Sequence, residues 1–290
     1  MKKLIVSCMV MLASVFANAE IPKKFNVYTS GAGSATRYCL ELVNEYNKKY
    51  QSQALLVIKP GAGGVLATLA MVNDTNFSFY CFAGNSEMFL NRVQYPTHNT
   101  EHDMLTPVNV ILEAPYVFNT RISNPFDNLT ELLDSGKQLT VGHHTTNQKI
   151  VAEKIFPTNT VFVNYRSAQD AISSIRDGSI DIYVDGGAFS AKNYESMIKS
   201  LGHIHGPSTT LGVNYTAKFK HKNIAKNWAG FMTSKNNNAS DIEELSNRLA
   251  IVVKEDVLTN IIVSVNNLPL FLNLQESTKF LEIVKSNLNK

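Results

Sequence analysis

Apolar runs of strand length alternate with helical periodicity in the first third of the chain. Residues 25–29 (FNVYT), 54–58 (ALLVI) and 77–82 (FSFYCF) are short apolar runs typical of buried strands. Between the first two runs, apolar residues recur at helical spacing from position 35 to position 46, and a shorter helix is predicted around 65–72. Repeated strand–loop–helix units pair their strands in parallel through right-handed crossovers, so this part is predicted to form an α/β sheet.

The same pattern starts again further along the chain. Helices and strands are predicted in turn at 128–135, 139–142, 147–156, 161–164, 168–177 and 180–184. The helix that reaches Asp177 is followed by Gly178, which can supply a left-handed C-terminal cap. The chain therefore contains a second α/β block.

The C-terminal part is mainly helical. One strand is predicted at 228–233, and Ser240 with Glu243 is a capping-box candidate that opens an amphipathic helix. A last helix presents apolar residues between 280 and 288. Residues 202–226, rich in Gly, His, Thr and Asn, are predicted to be loop.

Two α/β blocks and a tail with one strand of its own predict a two-lobed molecule. The chain is expected to cross to the second lobe near residues 116–120 and to return near 226–231. Lobe 1 would then comprise residues 20–118 plus 227–290, and lobe 2 residues 119–226. Two crossings make a hinge, and the cleft between such lobes is the expected ligand site.

Residues 1–19 have the features of a signal peptide. Lys2 and Lys3 precede an apolar stretch at 4–16, and Ala-Asn-Ala at 17–19 is a small-x-small cleavage site. We therefore expect export to the periplasm, with cleavage after Ala19.

The composition excludes several classes of protein. The chain has 290 residues, of which 44% are hydrophobic, so it is not a disordered chain. Its 27 Lys and Arg residues nearly balance 24 Asp and Glu residues, and no basic stripe with interleaved aromatic residues occurs. This argues against nucleic acid as a partner.

Two cysteines, Cys39 and Cys81, lie beyond the signal peptide. Each lies in an apolar-periodic segment, so we expect two buried thiols. Pairing in an oxidising compartment is the alternative. The spacing of the cysteines matches no metal-binding motif.

The first candidate site is the glycine-bearing loop at 30–36, which follows a strand and opens a helix. Its backbone N–H groups and the helix dipole can converge on an anion, and its hydroxyl groups add donors. It lacks both the Gly-Lys-Ser/Thr of a phosphate-binding loop and the third glycine of a dinucleotide fingerprint. A tight strand–helix turn with a serine cap is the structural alternative. The candidate ligand-binding residues are Ser30, Gly31, Ala32, Gly33, Ser34 and Thr36.

The second candidate site occupies the same strand-to-helix position in the second block. Its residues are His143, His144, Thr145, Thr146 and Asn147. Two helix N-termini that face each other across a cleft can clamp a carboxylate. Adjacent histidines in an extended segment point to opposite faces and no third ligand lies nearby, so we expect no metal and one histidine lining the cleft.

Catalysis is not indicated. The chain has no G-x-S-x-G elbow, and no spacing assembles a nucleophile, a base and an orienting group. Asp185, at the end of a predicted strand, could act as a base or as a polar ligand contact. We therefore expect a protein that is not an enzyme, with a secreted hydrolase as the less favoured alternative.

Four segments in matching order resemble the substrate-binding proteins of tripartite tricarboxylate transporters, also called the Bug family. They are VYTSGAGSAT at 27–36, KPGAGG at 59–64, VNYRSAQDAISSIRDGSIDIYVD at 163–185 and NWAGF at 227–231. The resemblance extends over essentially the whole chain after the signal peptide. The combination of PGAGG with the correctly spaced DIYVD at 181–185 is its most specific element.

This resemblance implies an α/β, two-lobed, type II periplasmic-binding-protein fold with a ligand cleft between lobes. It implies a receptor that captures a small organic carboxylate and passes it to integral membrane subunits of a tripartite transporter. We also expect a monomer without a cofactor. The resemblance also implies that Asn85, Ser86 and Asp185 border the cleft. A receptor that signals to a membrane kinase is the alternative on the same fold.

Three departures from the family pattern affect the ligand contacts, one of which is Ser167 in place of the glycine after Tyr165-Arg166. Thr36 replaces the loop-one aspartate of the family, and the second loop is one residue shorter and carries His143-His144. The resemblance therefore implies a retained scaffold with altered ligand recognition.

Overall fold

The computed structural model describes residues 21–31, 34–206 and 210–288, so the predicted signal peptide lies outside the described residues. Among the described residues, eleven strands form two sheets; they are β1 (Lys24–Thr29), β2 (Gln53–Ile58), β3 (Ser78–Ala83), β4 (Leu105–Ala114), β5 (Tyr116–Arg121), β6 (Thr140–His143), β7 (Val161–Asn164), β8 (Ile182–Asp185), β9 (Ile198–Ile204), β10 (Asn227–Ser234) and β11 (Leu268–Pro269). Helices pack against both sheets; they are α1 (Ser34–Tyr50), α2 (Val65–Val72), α3 (Asn91–Gln94), α4 (Asn99–Asp103), α5 (Leu129–Asp134), α6 (Thr146–Ile155), α7 (Ala168–Asp177), α8 (Phe189–Asn193), α9 (Ala239–Val252), α10 (Asp256–Ser264) and α11 (Leu274–Leu288). Within these described ranges, no helix combines the length and apolarity needed to cross a bilayer.

The first sheet contains six strands in the order β11-β4-β10-β3-β1-β2. β1 pairs in parallel with β2 and β3, whereas β10 runs antiparallel between β3 and β4. Gly230 of β10 lies so close to β4 that an added Cβ would overlap the carbonyl oxygen of Asn109. The core of this sheet includes apolar side chains of α1, α9 and α10, so the C-terminal part of the chain packs with its beginning.

The second sheet contains five strands in the order β7-β6-β8-β5-β9. β6 is parallel to β7 and β8, and β5 is antiparallel to both β8 and β9. Apolar residues of α5 and α6 cover one part of the sheet and those of α7 another. Gly178 ends α7 with φ of 82°, the left-handed cap that the sequence predicts.

Two sequence predictions about local structure are wrong, and one strand was not predicted. The helix predicted to open with Ser240 and Glu243 begins at Ala239 with Asn238 as N-cap, and no side chain caps it. Residues 202–204, predicted as loop, belong to β9, where Gly202 adopts φ of 128°. The long strand β4 is not predicted, because Pro107 and Asn109 interrupt its apolar run. Asn109 is nevertheless buried, and its Nδ2 donates to Ser246 Oγ at 2.9 Å.

The prediction of two buried thiols is also wrong. Cys39 of α1 and Cys81 of β3 form a disulfide, with 6.0 Å between their Cα atoms. Both residues are fully buried, as the apolar periodicity predicts. They meet because α1 packs on the face of β3 to which Cys81 points, and a one-dimensional pattern cannot give that register.

Candidate functional site

A cavity of about 750 Å³ lies between the two sheets. Its wall is formed where β1, β3, β6, β7 and β8 end and their following loops or helices begin. The carboxyl ends of parallel strands are where open α/β sheets bind ligands. The fold therefore brings both predicted loops to one cavity.

Most of the predicted site residues line this cavity. On the wall are Ser30, Gly31, Asn85, Ser86, His144, Thr145, Thr146, Asn147 and Asp185. Thr36 and His143 are not part of the wall formed by the described residues. Ala32 and Gly33 and the side chain of Ser34 lie outside the described part of the chain.

The local structure explains why Thr36 and His143 do not line the cavity. The side chain of Thr36 packs against Gly31, so close that a Cβ on Gly31 would overlap Thr36 Oγ1. His143 is the last residue of β6 and is 5% exposed. Successive side chains of an extended segment point to opposite faces, so His143 and His144 point in opposite directions. His144 is therefore the histidine that reaches the cavity.

Tyr80 of β3 holds the start of the first loop. Its hydroxyl donates to Ser30 Oγ at 2.7 Å and accepts from the backbone N–H of Ser30 at 3.1 Å. The next N–H, that of Gly31, donates to Thr29 Oγ1 at 3.3 Å. Burial raises the pKa of Tyr80 well above its usual value, so the hydroxyl keeps its proton.

The second loop is closed by a capping box at the start of α6. Thr145 Oγ1 accepts from the N–H of Gln148 at 3.2 Å, and Gln148 Oε1 accepts from the N–H groups of His144 at 2.8 Å and Thr145 at 3.2 Å. This arrangement follows from the sequence Thr-x-x-Gln. The N–H groups of Thr146 and Asn147, in the first turn of α6, have no acceptor within the helix and can serve a ligand.

His144 and Asp185, both on the wall, are connected through the hydroxyl of Tyr183, which is buried behind the wall. The Tyr183 hydroxyl lies 2.6 Å from His144 Nδ1 and 3.3 Å from Asp185 Oδ1. Burial lowers the pKa of His144 to about 4 and raises the pKa of Asp185 to about 6. Because the hydroxyl has one proton for two neighbours, the second hydrogen bond takes its proton from His144 or from Asp185.

An amide network forms the floor of the cavity. Trp228 Nε1 donates to Asn85 Oδ1 at 2.6 Å, and Asn147 Nδ2 donates to the Tyr116 hydroxyl at 2.6 Å. Asn227 Nδ2 donates to the carbonyl oxygen of Gly186 at 2.7 Å. The network connects the first sheet, through Asn85 and β10, with the second sheet, through α6 and the end of β8.

Among the polar wall residues that the sequence analysis missed are Glu87, Asn91 and Arg166. Glu87 lies in the π-helical turn Ser86–Leu90 between β3 and α3, where its Oε2 accepts from the N–H of Gly84 at 3.0 Å. Burial raises the pKa of Glu87 to about 6. Arg166 lies within the segment at 163–185 that resembles the Bug family. This resemblance was the one feature of the sequence that could have indicated Arg166 as a site residue.

The wall presents groups that bind anions. It combines two helix N-termini, those of α6 and α7, with one guanidinium group and several amides. In the part of the chain that the structure describes, no three His, Cys, Asp or Glu side chains are grouped closely enough to hold a metal ion.

Two α/β lobes with a cleft at the carboxyl ends of their strands define a type II periplasmic-binding-protein fold. Solved structures share it. A Rhodopseudomonas palustris protein with adipate has a TM-score of 0.78 at 13% identity, covering 93% of this chain and 96% of that one. The periplasmic binding protein BugD has a TM-score of 0.73 at 13% identity, covering 92% and 95%.

A third solved structure, the MatC protein of Rhodopseudomonas palustris with bound malate, has a TM-score of 0.70 at 15% identity and covers 91% of this chain and 96% of that one. No family model and no curated protein sequence matches the chain. At these identities the comparisons establish a shared fold.

Proposed function

We propose that the chain is a periplasmic solute-binding protein of the tripartite tricarboxylate transporter type, a member of the Bug family. It captures a small organic carboxylate and delivers it to integral membrane subunits. The observation that carries the proposal is the wall of the cavity, where Arg166 lies beside the start of α7 and opposite the loop after β1. The fold shared with structures that hold adipate or malate supports it.

The carboxylate is placed by electrostatics. The helices α6 and α7 each have ten residues, and the positive ends of both dipoles point to the cavity. Arg166 can donate two parallel hydrogen bonds to a carboxylate, which adds geometric specificity. Ser30 and Asn85 then contact the ligand from the first sheet, so binding favours the closed arrangement of the lobes.

The proposal includes the organisation inferred from the sequence. Residues 1–19 are removed after Ala19, lobe 1 comprises 20–118 plus 227–290, and lobe 2 comprises 119–226. The mature protein works as a monomer, without a cofactor and without turning over its ligand.

A thermal-shift screen tests the proposal. The mature chain is heated with mono-, di- and tricarboxylates, amino acids and aromatic acids, each at the highest practical concentration. A ligand at 100 times its Kd adds about 2.7 kcal/mol of stability, which raises Tm by several degrees in a chain of this size. If no carboxylate in the library raises Tm of the folded protein, the proposal is wrong.

Arg166→Gln tests the placement of the carboxylate. Loss of a charged donor should weaken binding of the best carboxylate by about 2 kcal/mol, roughly thirtyfold, in titration calorimetry. Arg176→Gln is the matched control, since Arg176 is exposed at the far end of α7. Equal affinity of the Arg166→Gln variant and the wild type would remove Arg166 from the site.

A further inference from the structure

The cavity wall contains more acceptor capacity than a simple dicarboxylate can use. Two carboxyl side chains, Glu87 and Asp185, line it, and Arg166 is the one cationic side chain among the wall residues that the structure describes. A dicarboxylate would bring two further negative charges to this wall. Without a compensating cation, their mutual repulsion in a partly desolvated site opposes binding.

Glu87 has acceptor capacity that the protein does not fill. A carboxylate can accept about four hydrogen bonds. The N–H of Gly84 donates to Oε2, and the backbone N–H of Glu87 itself and the hydroxyl of Tyr80 also contact the carboxyl group, so about one position stays open. The side chain lies against Gly64, where an added Cβ would come within 2.8 Å of Glu87 Cγ.

Asn91 supplies an independent, unfilled acceptor one helical turn after Glu87. It is fully buried and lines the cavity, and its Nδ2 donates to the carbonyl oxygen of Gly63 at 2.8 Å. Its Oδ1 has no hydrogen-bond partner among the described residues. A buried oxygen without a donor destabilises the folded protein, so a ligand donor at this position strengthens binding.

Asp185 differs from Glu87 because protein groups already occupy both of its oxygens. Tyr183 contacts Oδ1 at 3.3 Å, and the N–H of Ser190 donates to Oδ2 at 3.3 Å. The acceptors with room for a ligand are therefore Glu87 and Asn91, which lie together on the side of the first sheet, across the cavity from Arg166.

We infer that the ligand is a carboxylate that also carries a protonated amino group, and that this group donates to Glu87 and Asn91 while the carboxylate faces Arg166 and the start of α6. The inference rests on the proposed function and narrows its ligand class. An ammonium group has three donors, of which one can serve the open position on Glu87 and one the Asn91 Oδ1 atom. Its positive charge also offsets the negative charge of Asp185, the second carboxyl side chain on the wall.

Paired probes test this inference in the mature full-length protein. Binding is measured by calorimetry for amino and des-amino carboxylates of equal length, such as glutamate with glutarate and aspartate with succinate, together with pairs built from the other hits of the screen. The amino member of the tightest-binding pair should bind at least tenfold more tightly than its des-amino partner.

The outcomes separate the inference from the proposed function. If the tightest ligand is a carboxylate without an amino group, the inference is overturned and the proposed function stands. If no carboxylate of either kind binds, the proposed function fails and the inference fails with it.

Glu87→Gln tests the position of the amino group. Glutamine keeps an acceptor for the N–H of Gly84, so the local turn is retained, but it has no charge. Affinity for the amino ligand should fall at least tenfold, while that for the des-amino partner stays equal or rises. Glu282→Gln, at an exposed position of α11, should change neither affinity. A Glu87→Gln variant that keeps the wild-type preference overturns the assignment, and the wild-type pairs decide the ligand class even where this variant fails to fold.

Discussion

The protonation of ionisable side chains near the cavity is set by their burial. Burial lowers the pKa of His143 to about 4, and the charge of Lys149 acts in the same direction. Burial also raises the pKa of Glu87 and of Asp185 to about 6. At neutral pH His143 and His144 are uncharged, so Arg166 and the helix N-termini, rather than an imidazolium, provide the positive potential.

These shifts act on stability in opposite directions. An unfolded histidine binds its proton near pH 6.5, whereas folded His143 binds it near pH 4, so its contribution is lost as pH falls through that window. Folded Glu87 and Asp185 bind protons near pH 6, before their unfolded counterparts, so their effect is a gain as pH falls from 6 towards 4. His144 shares the shift of His143, and burial also lowers the pKa of three further histidines, His102, His203 and His205. The losses therefore outweigh the two gains, and the wild-type free energy of unfolding should fall between pH 7 and pH 5.

His143→Gln should reduce the loss of stability at low pH. The variant no longer loses the contribution of one buried neutral histidine, so its free energy of unfolding at pH 5, relative to pH 7.5, should exceed the wild-type difference by about 2 kcal/mol. Urea unfolding at both pH values measures it. His221→Gln, at an exposed position, should keep the wild-type difference. An unchanged difference in His143→Gln would mean that His143 is not buried in the neutral form.

At the scale of elements, the disulfide fixes α1 to the sheet beside the first loop. Cys39 lies in the second turn of α1, and Cys81 lies in β3, two residues before Ala83 on the cavity wall. The helix that presents the loop at 30–36 is thereby joined to the strand that leads to Glu87. The cross-link holds two parts of the wall in register.

Removal of the disulfide should lower stability. The two cysteines are 42 positions apart, and closing a loop of this length stabilises the folded state by about 4 kcal/mol in the chain-entropy model. Cys39→Ala with Cys81→Ala should therefore reduce the urea-derived free energy of unfolding by about 2–4 kcal/mol. Dithiothreitol should have the same effect on the wild type and none on the double variant. If full reduction of the disulfide leaves the wild-type free energy of unfolding unchanged, this role is refuted.

At the scale of the whole molecule, hydrogen bonds cross the mouth of the cleft on two sides. On one side the hydroxyl of Thr146 donates to Gln94 Oε1. On the other side Lys192 of α8 donates to the carbonyl oxygen of Ser264 at the end of α10. Lys192 also places a positive charge at the negative end of that helix dipole. Such contacts exist only when the two sides are close, so they favour the closed arrangement.

Lys192→Met should weaken ligand binding, although Lys192 does not line the cavity. Lys192 is exposed, so loss of its hydrogen bond is worth about 0.5–1 kcal/mol, which lowers the affinity for the best carboxylate two- to fivefold. Calorimetry measures the affinity, and small-angle scattering should show a smaller radius of gyration with ligand than without. Lys220→Met, at an exposed position away from the cleft, is the control. Equal affinities and an unchanged radius would argue against a closing motion.

The helices and strands around the first two loops could be predicted because their periodicity is local. The apolar positions of α1 and the glycine cap of α7 follow from neighbouring residues. The strands β4 and β9 could not be predicted in this way, since Asn109 and Gly202 are accommodated by partners far along the chain. Ser240 failed as a cap because α9 starts one residue before it.

The sequence by itself determined the two α/β blocks and the two strand-to-helix loops, because these depend on periodicity and on the order of elements. Tertiary structure decided which side chains share a wall. It removed His143 and Thr36 from the cavity, joined Cys39 to Cys81, and brought Glu87 and Asn91 to the same cavity as Arg166. These relations depend on the packing of segments far apart in sequence, and a pattern along one chain does not encode the register between them.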